Sequence, residues 1–538
     1  MKPKHSIRIS VTVCIILLCM GFGVYSFVRL NMVDERRDFD LYSLVPQEVE
    51  AVFATDKLTG LLENISQMEC SRDNHYLYAS ELFSCVKRYL QLLMEKEPHG
   101  LSAKMNEMLI SFHPSDLKND QVLYCKLGLD DCKMLEDYIK RYGASGFPSK
   151  TFTYRGQDIV IYPLSDGRFL SLWMKRDFLV ISFQKRLVEQ VIDAWKDKKS
   201  LARLATFRPA LQDKREARKA VLFMRWQDAR QDVRPDSSVW LEFDLKLAEE
   251  GIYCAGTAYG ISPADTCRYA FAGCSPQEGF PLAELPRTTL LYRCSSLPAS
   301  GGDWPCFLQS MSTDSLLSAD GPSFDRSLAA YLSEHACGKA LSCLFLSGDS
   351  LERKGLEVLS VSLKEPSTAQ RDLHRLLYDI SQGQYPFYKS FSAGTGVRGM
   401  RLYRLPSGTL ASVLAVSGEV RPYTYATFYA GRLLLSSEEP ALVAYVKALE
   451  QGDTLETSPL YETMVEQLAP LYDYVLMADL ETMALCPSLP SGLLPSFFEE
   501  HAGFFSRFQL AVQLCRVDGA VAPNVVLLYR LKDAVSQL

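Results

Sequence analysis

Two stretches of this chain align with each other without a gap: Ile181–Leu211 lies on Leu435–Val465. Ser182 then meets Ser436, Ala194 meets Ala448 and Leu201 meets Leu455. Apolar positions coincide as well, Val188 with Leu442, Ile192 with Val446, Trp195 with Leu449 and Phe207 with Tyr461. An internal repeat constrains the architecture more than any single motif, because each copy is one structural unit that must bury its own apolar face or pack on its sister. It says nothing about chemistry.

The order of elements extends the match. The first copy opens at Leu44-Val45-Pro46 and the second at Glu284-Leu285-Pro286, each running into a strand, Val49–Ala54 and Thr289–Arg293. A helix with apolar residues at Leu82, Val86, Tyr89 and Leu93 corresponds to one near Phe324–Glu334. Strands at Met108–Phe112 and Val122–Leu127 correspond to Leu341–Leu346 and Leu356–Leu363. The amphipathic helices Cys132–Tyr142 and Ala369–Ile380 follow, with Asp130 or Asp131 as cap of the first and Ser367 or Thr368 of the second. An Arg-Gly pair, Arg155-Gly156 or Arg398-Gly399, then leads into a hairpin that turns at Ser165-Asp166-Gly167 or Pro406-Ser407-Gly408. Strand and helix Phe178–Phe183 and Lys185–Lys196 match Leu433–Ser437 and Pro440–Glu450. Long alternating strands close both copies, Val239–Leu247 and Ile252–Ala258 against Phe508–Cys515 and Val521–Tyr529. Short turn-like connections favour antiparallel pairing. The expected fold is α+β: two similar repeats, residues 44–261 and 284–538, each a mainly antiparallel sheet with helices on one face, joined by a Pro, Gly, Ser and Cys-rich linker at 262–283.

The N-terminus adds a membrane anchor. Val11–Val28 carries no charge, and as a helix it spans about 27 Å, close to the thickness of a bilayer core. Lys2, Lys4 and Arg8 precede it, so residues 1–10 read as a cytoplasmic leader, 11–30 as a signal anchor and 31–43 as a tether. A signal peptide cleaved near Val24-Tyr25-Ser26 is the alternative. No second run of that kind follows, which places the remaining chain on one side of the membrane. A net charge of -6 with interspersed signs lacks the basic stripe of a nucleic-acid binder. Of the 15 cysteines, Cys14 and Cys19 lie in the anchor. Cys70 with Cys85, Cys125 with Cys132, Cys294 with Cys306 and Cys337 with Cys343 are candidate disulfides in an oxidising compartment, with buried free thiols as the other reading.

Motifs of catalysis are missing. Gly394-Thr395-Gly396-Val397-Arg398-Gly399 matches G-x-G-x-x-G, but it leads into a strand rather than a helix, so it reads as hairpin chemistry. No two histidines have H-x-x-x-H spacing, His335 and Cys337 make only H-x-C, and Glu499-Glu500-His501 diverge on a helix. There is no G-x-S-x-G elbow and no Walker loop at Gly338-Lys339. Trp173, Trp195, Trp226 and Trp240 read as core more than as a ligand groove. No catalytic, cofactor-binding or metal-binding residue is nominated.

The pattern strand, serine, helix, short polar break, then Ser/Thr-Leu with an aromatic six residues later stands here as Ser182–Phe207 and Ser436–Tyr461. With the anchor and the early Val-Pro opening, it resembles a family of bacterial membrane-anchored extracytoplasmic proteins known only as a domain of unknown function. The first copy departs from the pattern at Lys198-Lys199, where the second has Gly452-Asp453. The resemblance implies an envelope location and a duplicated α+β fold and brings no catalytic residue or cofactor; together with the anchor, the expectation is a single-pass protein of the bacterial inner membrane with its bulk in the periplasm. The expected function is a non-enzymatic envelope protein that binds or scaffolds another envelope component. Alternatives are a carrier or chaperone for an apolar ligand and an enzyme with an unfamiliar site acting on envelope polymers.

Overall fold

The computed structural model describes the chain from Phe39 to Arg530, apart from residues 73–81, 83–105, 115–119, 129–130, 139–147, 165–166, 213–219, 227–238, 260–272, 300, 305–306, 308–322, 348–353, 383–386, 392–399, 407–409, 411–413, 415–421, 487–488, 490–492, 495–497, 499–501 and 518–519. The fold is α+β with a largely antiparallel sheet. Strands of the first copy are β1 (Ala51–Thr55), β2 (Met108–Phe112), β3 (Gln121–Lys126), β4 (Lys150–Tyr154), β5 (Gln157–Pro163), β6 (Phe169–Lys175), β7 (Phe178–Ser182), β8 (Val221–Trp226), β9 (Val239–Leu247) and β10 (Gly251–Tyr259). The second copy gives β11 (Thr289–Ser296), β12 (Ala336–Leu346), β13 (Gly355–Leu363), β14 (Tyr388–Phe391), β15 (Met400–Arg404), β16 (Tyr425–Tyr429), β17 (Arg432–Ser436), β18 (Tyr474–Asp479), β19 (Phe508–Val517) and β20 (Ala520–Tyr529). The helices used below are α1 (Leu58–Gln67), α2 (Asp131–Tyr138), α3 (Lys185–Lys196), α4 (Ser323–His335), α5 (Pro366–Ser381), α6 (Glu439–Glu450) and α7 (Pro459–Glu466).

The aligned stretches repeat because one local device is built twice. At the end of β7, Ser182 Oγ donates to the Gln121 carbonyl at 2.7 Å and accepts the Gln184 amide at 3.1 Å. At the end of β17, Ser436 Oγ donates to the Glu357 carbonyl at 2.7 Å and accepts the Glu438 amide at 3.1 Å. A serine there ties the strand to its neighbour and supplies a local acceptor where the helix begins. Past each helix the break closes alike: Leu201 N donates to Val45 O at 2.8 Å, and Leu455 N to Leu285 O at 2.9 Å. Lys198 sits at φ 57° where Gly452 sits at φ 68°, so the departure at Lys198-Lys199 keeps the left-handed turn without its glycine.

Strand order matches over the same span. In the first unit the strands pair in the order β4–β5–β6–β7–β3–β2–β1. In the second, β14–β15–β16–β17–β13–β12–β11 repeats that order and continues through β18–β19–β20. The described residues form two compact units, one from Met1–Leu58 and Ser80–Arg218, the other from Thr59–Ala79 and Lys219–Leu538. The hairpins β8–β9–β10, which end the first copy in sequence, belong to the second unit. There β10 pairs antiparallel with its own counterpart, β20. Ala255 faces Asn524, and setting one on the other also brings the pair Leu247↔Ile252 onto Arg516↔Val521. The seam is therefore a local two-fold axis. Residues 273–283, read from sequence as the end of a linker, are built into this unit: Gln277–Glu278 pairs with Leu471–Tyr472, and Phe280 stacks on Tyr472 at 5.2 Å.

Two expectations are corrected by the fold. Helices do not cover one face only. In the second unit α4 and α5 send Leu328, Leu332, Leu373 and Leu377 onto Leu359, Val361, Leu433 and Leu435, while α6 and α7 cover the opposite face at Leu356, Val358 and Leu434 with Leu442, Val446 and Met464. Consecutive leucines in β17 leave it no polar side, so both faces must be covered. Nor do Ser367 and Thr368 cap α5: Glu365 takes the N-cap position, Pro366 begins the helix, and Thr368 Oγ1 donates to Glu365 Oε2 at 3.1 Å. In the first unit α3 packs on β3, β5, β6 and β7 through Leu187, Val188, Val191 and Ile192. Arg155 and Gly156 (φ 46° and 71°) are themselves the two-residue turn joining β4 to β5 rather than an approach to it. No helix among the described residues is long and apolar enough to cross a membrane, and residues 11–30 lie outside them, as do the helix from Val86 to Leu93 and Gly394–Gly399.

Candidate functional site

Several charged side chains that the fold buries or half-buries are matched to each other, and others, such as Asp131 and Asp325, accept backbone amides. Asp473, itself buried, receives Arg516 on both oxygens at 2.7 and 2.8 Å. Arg530 meets Asp479 at 2.9 Å and Glu481 at 3.1 Å. Glu284 is held by Lys339 at 2.9 Å and by Arg432. His335 is buried against Asp372 at 3.2 Å and meets the Tyr331 ring at a tilt, with centroids 4.8 Å apart. Among the described residues no group of three or more His, Cys, Asp or Glu is placed to hold a metal ion. Glu499-Glu500-His501 lie outside them.

One constellation has no counterpart among the sequence motifs. Ser111 Oγ lies 2.9 Å from His113 Nε2 and 3.0 Å from Tyr124 Oη, and Asp120 is nearby. These are the residue types of a hydrolytic triad, but the geometry is not one. Ser111 is fully buried on β2. Asp120 forms an ion pair with Arg186. Burial pushes His113 down to about 4, with Asp120 opposing the shift and Arg186 adding to it, so the ring is neutral in the folded protein. Ser111, Tyr124 and the half-buried His113 form a short polar chain through the Ser111 hydroxyl. Period-two spacing of Ser111 and His113 on one strand face is the signal the sequence offers for it.

The ten described cysteines are all free thiols. Cys125 and Cys132 are not bridged: Cys125 is buried in β3, and Cys132 Sγ donates to the Lys175 carbonyl at 3.3 Å. Cys337 and Cys343 stand on one strand, β12, and are likewise free. Burial raises the thiols, Cys125 and Cys254 to about 12 and Cys294 and Cys515 to about 11, so the inert-hydrophobe reading holds for them. Cys85 and Cys306 lie outside the described residues. Trp173 packs edge-on against Trp195 at 5.5 Å and Phe178 at 4.9 Å, which is core packing, and Trp240 is buried in the other unit.

The first unit holds a half-open cavity of about 290 Å³ between Phe39, Tyr42, Leu109 and Leu211. Its carboxylates are already engaged. Glu107 pairs with Lys126 at 2.8 Å, and Asp40 accepts the Tyr42 amide at 2.9 Å. The volume is at the lower edge of what small-molecule sites occupy.

The other candidate surface is aromatic. Strands β4 and β14 occupy the same place in the two strand orders, and both carry exposed rings. Phe152 lies under Lys185 at 5.1 Å. Tyr388 lies under Arg401 at 5.4 Å and adjoins Phe387, which in turn meets the exposed Tyr378 of α5. Phe169, at the start of β6, is 59% exposed. Rings with a cation over one face and water on the other are what binding surfaces use. No protein-family model matches the chain, and no curated protein or solved structure is significantly similar to it.

Proposed function

We propose that this is a non-enzymatic, membrane-anchored extracytoplasmic protein of the bacterial envelope: a duplicated α+β module that binds or scaffolds another envelope protein. The carrying observation is the division of labour among side chains. Several buried and half-buried charged groups pair with each other, while exposed aromatic rings stand on matching strands of the two copies, Phe152 on β4 and Tyr388 on β14. Enzymes concentrate strongly perturbed groups in a cleft. Here most of the perturbed groups are tyrosines, thiols and His113, with burial the leading cause in Cys125, Tyr461 and His113 alike, and one carboxyl of the first unit's cavity, Asp40, is also raised by burial. The anchor and the family resemblance support the envelope location, and the matching strand orders support the duplication.

The test is crosslinking in intact cells followed by identification of what remains attached to this chain. A defined envelope protein, recovered through Phe152, Phe169 or Tyr388 and lost when those rings are removed, is the expected outcome. Recovery of lipid alone would favour a carrier, and cytosolic labelling of the C-terminus would defeat the location.

A further inference from the structure

We propose that the chain associates with a second copy of itself by antiparallel pairing of β4 with β4. Among the described strands β4 pairs with β5 alone, and Lys150, Thr151, Phe152 and Thr153 are all exposed. The outer edge of this strand has a definite pattern. Arg155 and Gly156, both at positive φ, form the two-residue turn, so the flanking Tyr154 and Gln157 exchange backbone hydrogen bonds. Alternation along the antiparallel ladder then gives the backbone of Phe152 to Ile159 and that of Lys150 to Ile161. The amides and carbonyls of Thr151 and Thr153 point the other way, and an open edge of that kind takes an extended strand.

The strand that fits is a second β4, because the edge is complementary to itself. Antiparallel pairing centred on Phe152 sets Thr151 opposite Thr153 of the second copy, so the outward backbone groups of both meet. It also sets Phe152 opposite Phe152 and Lys150 opposite Tyr154, and aromatic and threonine pairs across strands are favourable. Charge agrees. Phe152 and Tyr154 lie on the sheet face that α3 covers: Lys185 sits over the Phe152 ring, and Tyr154 Oη donates to Asp193 Oδ2 at 2.9 Å. Glu189 and Asp193, one turn apart on α3, both lie near Tyr154. Lys185 and Arg155 already pair with them, at 2.8 and 2.7 Å. Lys150 of the second copy therefore arrives beside carboxylates, and no like charges are set opposite each other. Equivalent strands of this chain already meet edge to edge and antiparallel at β10 and β20. One edge strand buries little area, so the association is concentration-dependent rather than permanent. It goes beyond the binding reading and leaves Phe169 and Tyr388 to a different protein.

The test is the mass of the full chain in detergent, followed by sedimentation over a wide range of concentration. A rise from one chain to two is expected. Thr153→Pro removes an amide that β5 does not use, so the hairpin keeps its ladder while the second copy loses its bond, and dimerisation should weaken by at least ~10-fold. Phe152→Asp and Phe152→Lys each place like charges opposite one another and should stay single alone, whereas mixing the two should restore a pair of chains. Recovery on mixing separates contact across the edge from a folding defect in either variant. A single-chain mass at every concentration, a dimer undiminished by Thr153→Pro, or no recovery on mixing overturns the proposal. Masses beyond two chains overturn it as well, because an open series requires β4 to meet a different strand. If the chain stays single and crosslinking in cells still recovers another envelope protein, only the self-pairing fails and the binding reading stands.

Discussion

Gly256 offers the sharpest test of the seam. It lies in β10 next to the described ladder with β20, and the register that pairs Ala255 with Asn524 brings it opposite Pro523. A Cβ on Gly256 would come within 2.5 Å of the Pro523 carbonyl oxygen, 2.6 Å of Pro523 Cγ and 2.9 Å of Phe243 Cδ1. Two of those atoms belong to backbone or to a rigid ring, so relief requires the strands to part. Overpacking of this kind costs about 1–3 kcal/mol. At about 2 kcal/mol, Gly256→Ala should raise the open fraction of the seam roughly thirty-fold, since 1.4 kcal/mol is tenfold. Amide exchange at Tyr253, Cys254, Val525 and Val526 would report it, because exchange from a locally opened unit follows its opening free energy. Gly60 in α1 is the control: a Cβ there meets nothing within 4 Å, and Gly60→Ala should stabilise by about 0.5–1 kcal/mol. Unchanged exchange in Gly256→Ala would show that β10 and β20 do not approach as described.

Lys198→Gly should stabilise the first unit by up to ~1 kcal/mol by removing a side chain from a left-handed position, and Gly452→Ala should cost the second about as much, both read as shifts in urea midpoint. Asp473→Asn leaves Arg516 without its buried counter-charge and should destabilise by about 3–5 kcal/mol; combining it with Arg516→Met should recover much of the loss. His113 titrates at about 4 when folded, below its ordinary 6.5, so the unfolded chain binds more protons between those values. Stability from this residue is full above pH 6.5 and is lost as pH falls toward 4, by as much as about 3 kcal/mol, and His113→Phe should flatten that part of the pH–stability curve. Cys125 and Cys132 should both alkylate after denaturation without reductant, while Cys125 should resist alkylation in the native protein; a bridge between them would appear as two protected thiols.

Much of this fold is legible in the residues themselves. Lys185–Lys196 and Val239–Leu247 stand where periodicity places them, because a helix with a clean apolar stripe and a strand with strict alternation each have one way to bury their apolar side. Strands β8 and β18 have neither flanking turn residues nor long alternation, so no pattern in the chain announces them. The cover on both faces is equally silent, because a run such as Leu433-Leu434-Leu435 does not say how many layers lie against it. The candidate surface is the least legible part. Phe169 and Tyr423 are both aromatic at the same register position, yet Phe169 is 59% exposed and Tyr423 is buried.

Local order was thus set by sequence alone: the serine that accepts an amide two residues on, at the end of β7 and β17, the left-handed turn after each helix and the succession of elements depend on residues within a few positions of each other. Tertiary structure decided which distant surfaces met. That β10 would pair with β20 about a two-fold axis, and that Asp473 would meet Arg516, depend on contacts between residues far apart in the chain. Periodicity records which side of an element avoids water, but not what it finds there.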